Sequence, residues 1–377
     1  MNVNAVYKRQ FAIAVFFAGT VFKIAFLPAY ITGVLANENV LLAAAYLVFD
    51  FILLGLIWYI VKTRALETLP DKFRAAVMLV LFCRCAVKFA VMAGEASFCA
   101  ADNLFDDANV LFIYAAIGAL TSYIAVKGAN TLVRLGEIFI AVTLLCLVLN
   151  LITAESEIDF GHNLPLFTVK AADFFSAFDK FYMWTGDFLP LIVFGLKETR
   201  RKSKLPPFII AAVALTVVGY YVFLNAVFRG GAANTGNLIV ELGSFNIGNI
   251  LVGRTESLSL ALWFVMITVN LSLTMLAATD ASSYFLKDRR WGTAAVNAFA
   301  VFTLVFLAGN MRELFGFAVG GIRYFMLAAD VFIPLSVIAA AMFGKNKNRR
   351  KPLFEGSAAK EPSVKRRDKS PPLNERA

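Results

Sequence analysis

Seven ionisable residues stand inside apolar runs of this sequence: Lys23, Asp50, Arg84, Lys88, Glu95, Asp187 and Asp330. A charge at the centre of a bilayer costs about 2.5–3.5 kcal/mol on insertion scales, so each needs a partner or a task. Arg84, Lys88 and Glu95 are four and seven positions apart, which puts them on one helix face. Arg323 and Asp330 share a face in the same way, as do Lys180 and Asp187 if their helix is regular. Two readings compete for such residues. One is a polar cavity or ion path; the other is a set of buried ion pairs that fix helix packing. Asp50, Arg84 and Lys88 suit the packing role better. Lys23 and Asp187 suit the functional one, because both lie beside residues that interrupt a helix. Gly19-Thr20 precedes Lys23 and Pro28 follows it, and Trp184-Thr185-Gly186 runs directly into Asp187.

An interrupted helix exposes backbone N–H and C=O groups, which suit a carboxylate and an ammonium group and persist in a membrane only around a cavity. The sequence therefore nominates Gly19, Thr20, Lys23, Trp184, Thr185, Gly186 and Asp187 as a midplane substrate site. Lys23 is its local cation and Trp184 an apolar wall. Asp50, Arg84, Lys88, Glu95 and Asp330 form an intramembrane charge network around it. The competing reading of the glycines is close helix packing, for which membrane helices use them freely. Ser257, Ser259, Asn270, Ser272 and Thr274 offer oxygens to a sodium ion, although small hydroxyl residues also serve helix contacts.

Other chemistries find little support. The single histidine, His162, falls in a loop, and Cys83, Cys85, Cys99 and Cys146 sit within or at the ends of apolar runs, so no metal site is expected. No nucleophile–base pair or phosphate-cradling loop stands out, so neither catalysis nor a cofactor is expected. The net charge of +10 does not indicate nucleic acid, because the basic residues lie in short loops and one tail.

The elements that must carry these residues are membrane helices. The chain is 59% hydrophobic and 16% charged, against about 45–50% and 25% in soluble domains. Its hydropathy predicts an all-α integral membrane protein with ten spans, over 10–32, 39–60, 73–100, 109–126, 131–152, 172–195, 206–228, 256–279, 291–307 and 314–343. Each is long enough to cross a hydrocarbon core of about 30 Å at 1.5 Å per residue. The first apolar run, 11–35, exceeds a signal-peptide core and is read as a retained span. With the N-terminus inside, internal segments hold sixteen Lys and Arg and external loops four. This bias places both termini on the cytoplasmic side. Residues 1–344 form the membrane domain. Residues 345–377 read as a basic disordered tail, either a topology anchor or a segment drawn to anionic lipid. Ten spans divide into five plus five, and an odd number per half makes the halves inverted repeats with a site where helices 1 and 6 are interrupted.

Several short motifs add a resemblance. Lys127-Gly128 followed by Arg134-Leu135-Gly136-Glu137 resembles the K/R-G…R…E pattern of the GerAB-type spore germination permeases. Asn163-Leu164-Pro165 resembles that family's N-L-x-P element, and Arg254-Thr255-Glu256 with Trp263 resembles its R-x-E…W segment. Glu95 stands where the family tends to have an acid. Leu104–Asn109 replaces its Leu-Pro-x-Thr-Pro element. The resemblance implies the amino acid–polyamine–organocation superfamily and its LeuT-like five-plus-five fold. It further implies a B subunit of a nutrient receptor in the spore inner membrane, sensing a small ligand such as an amino acid beside an A subunit and a lipoprotein C subunit. A proton-coupled amino acid transporter is the alternative use of the same fold.

Overall fold

A computed structural model of the protein describes residues 8–104, 109–164, 166–195, 207–228, 255–286 and 288–343, together with Leu242. The basic tail 345–377, Asp106, Asp107, Pro165 and Arg254 lie outside these. Among the described residues the chain forms helices and turns with no strand. The main helices are α1 (Lys8–Ala25), α2 (Leu27–Leu35), α3 (Asn39–Thr63), α4 (Asp71–Leu104), α5 (Val110–Lys127), α6 (Ala129–Thr153), α7 (Ala171–Lys180), α8 (Leu191–Gly195), α9 (Pro207–Phe228), α10 (Thr255–Ser282), α11 (Arg289–Phe302), α12 (Met311–Val319) and α13 (Ile322–Phe343).

Local sequence sets most of the boundaries. Asn109, Asp288 and Asn310 cap α5, α11 and α12 by accepting from the first-turn N–H groups of Leu111, Arg290 and Glu313. Gly128 ends α5 at φ +96°, a conformation that glycine adopts without a Cβ clash, and its N–H bonds to the Ile124 carbonyl. The Lys127-Gly128 motif therefore has a backbone role, as the hairpin between α5 and α6.

Eight helices among the described residues are long and apolar enough to cross a membrane: α3, α4, α5, α6, α9, α10, α11 with its π-type continuation Thr303–Leu307, and α13. In α4 and α10, 67% and 72% of the most apolar stretch is buried within the protein, whereas the other six bury 22–44%. The first two are therefore the interior pair, and the rest turn a broad face outward. Exposed Phe112, Leu215 and Phe306 lie on those outer helices, where hydrocarbon is their natural solvent.

The other two expected spans, 10–32 and 172–195, are broken. The first does not break at Gly19-Thr20 as the sequence suggests. α1 runs unbroken through that pair, and the Thr20 hydroxyl donates to the Phe16 carbonyl one turn back. The break falls at Phe26, two turns later. Pro28 explains it, since proline lacks the N–H for the Ile24 carbonyl and its ring crowds that carbonyl. The second broken span opens with a helix of only ten residues, α7. A 3-10 turn, Tyr182–Trp184, follows, then an irregular stretch, and the helix resumes after Pro190 as α8. The expected span 314–343 is likewise two helices, α12 and α13, parted at Gly320-Gly321.

Candidate functional site

The irregular segment from Tyr182 to Pro190 is buried throughout, so its backbone groups cannot turn to lipid or water. Long polar side chains from α1, α3, α4 and α13 reach it instead. From α4, the Lys88 ammonium donates to the carbonyls of Met183 and Thr185, the latter at 3.0 Å, and pairs with Asp187 at 2.9 Å. Arg84, one turn earlier on the same face, donates to the Gly186 carbonyl through Nη2. The same guanidinium grips Asp330 of α13 at 2.9 and 3.1 Å, and Tyr182 donates its hydroxyl to that carboxylate at 2.9 Å. From α3, Asp50 accepts the Gly186 N–H at 3.1 Å. From α1, Lys23 lies 2.6 Å from Asp50 and 3.5 Å from Asp187. Tyr221 of α9 secures the helix around Lys23 by donating to its carbonyl.

Each ionisable side chain in this cluster is at most 4% exposed. As charged groups, Lys23, Arg84 and Lys88 balance Asp50, Asp187 and Asp330, and the cluster sums to zero. This neutrality makes its depth tolerable, because an unmatched charge there carries the full desolvation penalty. Phe22 and Phe188 add ring faces 5.4 and 5.8 Å from the ammonium groups of Lys88 and Lys23. One donor, Nη1 of Arg84, is buried with no hydrogen-bond partner.

Gly186 is the pivot. Its φ of +72° is a left-handed conformation, and an added Cβ would lie 2.2 Å from Oδ2 of Asp330. Gly19 has another role. An added Cβ there would press on Val213 of α9 and on Phe188, so this glycine sets the approach of α1 to α9 at the edge of the cluster.

Glu95 belongs to a second, adjoining group. Seven residues beyond Lys88 on the same face of α4, it accepts hydrogen bonds from Tyr30 (2.6 Å) and the Trp184 indole (2.8 Å). Tyr30, Phe181, Trp184 and Phe315 form a contiguous aromatic cluster, with centroid separations of 4.6–6.4 Å.

The structure thus brings Lys23, Asp50, Arg84, Lys88, Thr185, Gly186, Asp187 and Asp330 together, and places Trp184 with Glu95 in the adjoining aromatic group. Thr20 bonds back into its own helix. The break is not open in this conformation, because the N–H of Gly186 and the carbonyls of Met183, Thr185 and Gly186 already have side-chain partners. Sequence reasoning missed Tyr182 and Tyr30, whose hydroxyls complete the Asp330 and Glu95 groups. Their place beside the broken segments, next to Trp184 and just after Pro28, was the available signal. Of the proposed sodium-ligating residues, Ser259 bonds to Asn150, while Ser272 and Thr274 bond back to carbonyls of their own helix. The side chain of Ser257 is outside the described ones.

Against solved structures, the chain is similar to Mhp1, a nucleobase-cation-symport-1 family transporter, in a closed conformation with bromovinylhydantoin bound. The likeness has a TM-score of 0.55 at 11% identity and covers 93% of this chain and 95% of that one. Fold and buried charges together define a multi-pass membrane protein with a transporter fold. The family model described as spore germination protein matches residues 101–313, more than half of the sequence, and the chain belongs to that family. No curated protein sequence matches it significantly.

Proposed function

We propose that this protein is the B-type subunit of a spore nutrient-germinant receptor, which senses a small nutrient at the break between α7 and α8. Membership of the germination family sets the context. The observation that carries the reading is a charge-balanced, fully buried cluster converging on a broken helix. Structural ion pairs alone do not require an unwound helix at their centre. Here the same side chains that neutralise one another also hold the backbone groups that a ligand would use. A small zwitterion, an amino acid above all, matches these groups. Its carboxylate suits the Gly186 N–H and the unpartnered Nη1 of Arg84, and its ammonium suits Asp187 and the carbonyls of Met183 and Thr185. Binding then means exchange, with the ligand taking over contacts now made by Asp50 and Lys88.

On this reading the eight continuous spans and the two broken ones make ten, arranged as five-plus-five inverted repeats with both termini cytoplasmic. The partners are an A subunit and a lipoprotein C subunit in the spore inner membrane. The transporter fold supports a second reading, a proton-coupled amino acid transporter, which differs only in whether the ligand crosses. Purified protein in liposomes, offered each of the twenty amino acids, tests both. Saturable binding without flux is the receptor result, and uptake is the transporter result. Binding that Asp187→Asn and Arg84→Gln both leave unchanged would place the site elsewhere.

A further inference from the structure

An open pocket of about 430 Å³ lies where α2 and α7 meet the segment just before α7. Its wall includes Val34, Lys170, Asp173 and Lys180. Val34 is one turn beyond Tyr30 on α2, and Lys180 directly precedes Phe181. The Lys180 ammonium lies 5.3 Å from the Phe181 ring and 5.9 Å from that of Phe315. Through Lys180 the pocket adjoins the aromatic cluster that Glu95 anchors, and Glu95 lies seven residues along α4 from Lys88.

The charges around the pocket divide into used and unused. Glu38 accepts from the N–H groups of Thr168 and Val169 and from the Thr168 hydroxyl, which pins this wall to the start of α3. Asp179 is paired with Arg323 at 2.8 Å. Among the described residues, Lys170, Asp173 and Lys180 have no ion pair, although all three line the pocket. Asp173 and Lys180 are seven positions apart, on one face of α7 and roughly 10 Å apart along its axis. One acid and two ammonium groups give the pocket a net positive charge and the means to meet both ends of a zwitterion.

We infer that this pocket is an outer loading site for a small zwitterion, with Lys180 receiving its carboxylate and Asp173 its ammonium. The aromatic cluster of Tyr30, Phe181, Trp184 and Phe315 is the lid between it and the buried site. Lys180 joins the two levels, since it lines the pocket while its ammonium lies over the Phe181 and Phe315 rings of the lid. A ligand that draws this ammonium off the Phe181 and Phe315 rings loosens the contact that holds the lid from above. The inference rests on the buried cluster being the nutrient site and on the orientation argued from the loop charges.

The test is equilibrium binding to the full chain in nanodiscs, with each of the twenty amino acids as probe. For every binder, the corresponding amine and carboxylic acid are measured as well. Parent protein, Lys180→Gln, Asp173→Asn and Asp187→Asn are compared. The expected result is two binding events, of which the weaker is lowered about tenfold or more by Lys180→Gln and by Asp173→Asn. Asp187→Asn weakens the other, and neither the amine nor the acid alone fills the outer site. A single event that is lost in Asp187→Asn and unmoved in both outer variants overturns the loading site while leaving the buried site intact. A single event that responds only to the outer variants keeps the loading site and overturns the buried one. No binding of any probe overturns both.

Discussion

The substitution Gly186→Ala puts the architecture of the helix break to its hardest trial. At φ +72° an L-residue pays about 1–2 kcal/mol for the left-handed backbone. The new methyl carbon would sit 2.2 Å from Oδ2 of Asp330, and 3.1 Å from both Nη2 of Arg84 and the Tyr182 hydroxyl. None of these is the free end of a mobile surface chain, because Arg84 and Asp330 are fully buried and grip each other. If the carboxylate is pushed off the guanidinium, the loss rises towards the roughly 3–5 kcal/mol that breaking a buried pair costs. Gly186→Ala should therefore destabilise the protein by at least about 2 kcal/mol and abolish the ligand response. Gly219→Ala, where an added Cβ meets nothing within 4 Å, should be neutral or gain up to about 1 kcal/mol of helix propensity. Unfolding in mixed detergent and SDS micelles, followed by tryptophan fluorescence, measures both. If Gly186→Ala matches the parent in stability and response, the segment is not held as described, and the packing argument around Asp330 fails.

Three further outcomes follow from the same geometry. Asp330→Asn leaves the Arg84 guanidinium buried without its counter-charge and should cost about 3–5 kcal/mol. Combining it with Arg84→Met should recover part of that loss, whereas additive losses in this double-mutant cycle would deny the coupling. Trp184→Phe keeps an aromatic ring, though a smaller one, and removes the 2.8 Å bond to Glu95; it should lose about 1.5–3 kcal/mol of stability in the same unfolding assay. In a cysteine-free background of native-orientation vesicles, a cysteine at exposed Glu157 should react with an impermeant maleimide and one at Lys62 should not; the reverse pattern would invert the topology.

Eight of the spans were legible because lipid imposes a simple rule. A helix that meets hydrocarbon must be apolar over its full length, and that property is local to about twenty residues. The intramembrane charges were legible for the same reason, as exceptions to the rule. The caps at Asn109 and Asn310 and the turn at Gly128 emerged only with the structure, although those conformations depend on just a few neighbouring residues. Which charges meet was a different matter. Helical spacing places Arg84 and Lys88 on one face of α4, but it is silent on which helix faces them. Only the packed bundle shows that Asp330 answers Arg84 from 246 residues away and that Asp187 answers Lys88.

The two interruptions separate the same way. The run Trp184-Thr185-Gly186-Asp187 reads as an interruption in the sequence, and it lies inside the broken stretch from Tyr182 to Pro190. In α1, the Gly19-Thr20 pair carried an equally plausible signal and remained helical. Glycine permits a break without forcing one, whereas Pro28 removes the donor for the Ile24 carbonyl, and the helix parts at Phe26. What the sequence determined alone is therefore what short-range sterics and transfer to lipid decide: the long apolar helices and the presence of buried charge. The pairing of those charges, the occupation of the break by Lys88, Arg84 and Asp50, and the role of Gly19 against α9 were decided by tertiary structure. Each depends on the distance between helices far apart in the chain, and no periodicity within one helix encodes that distance.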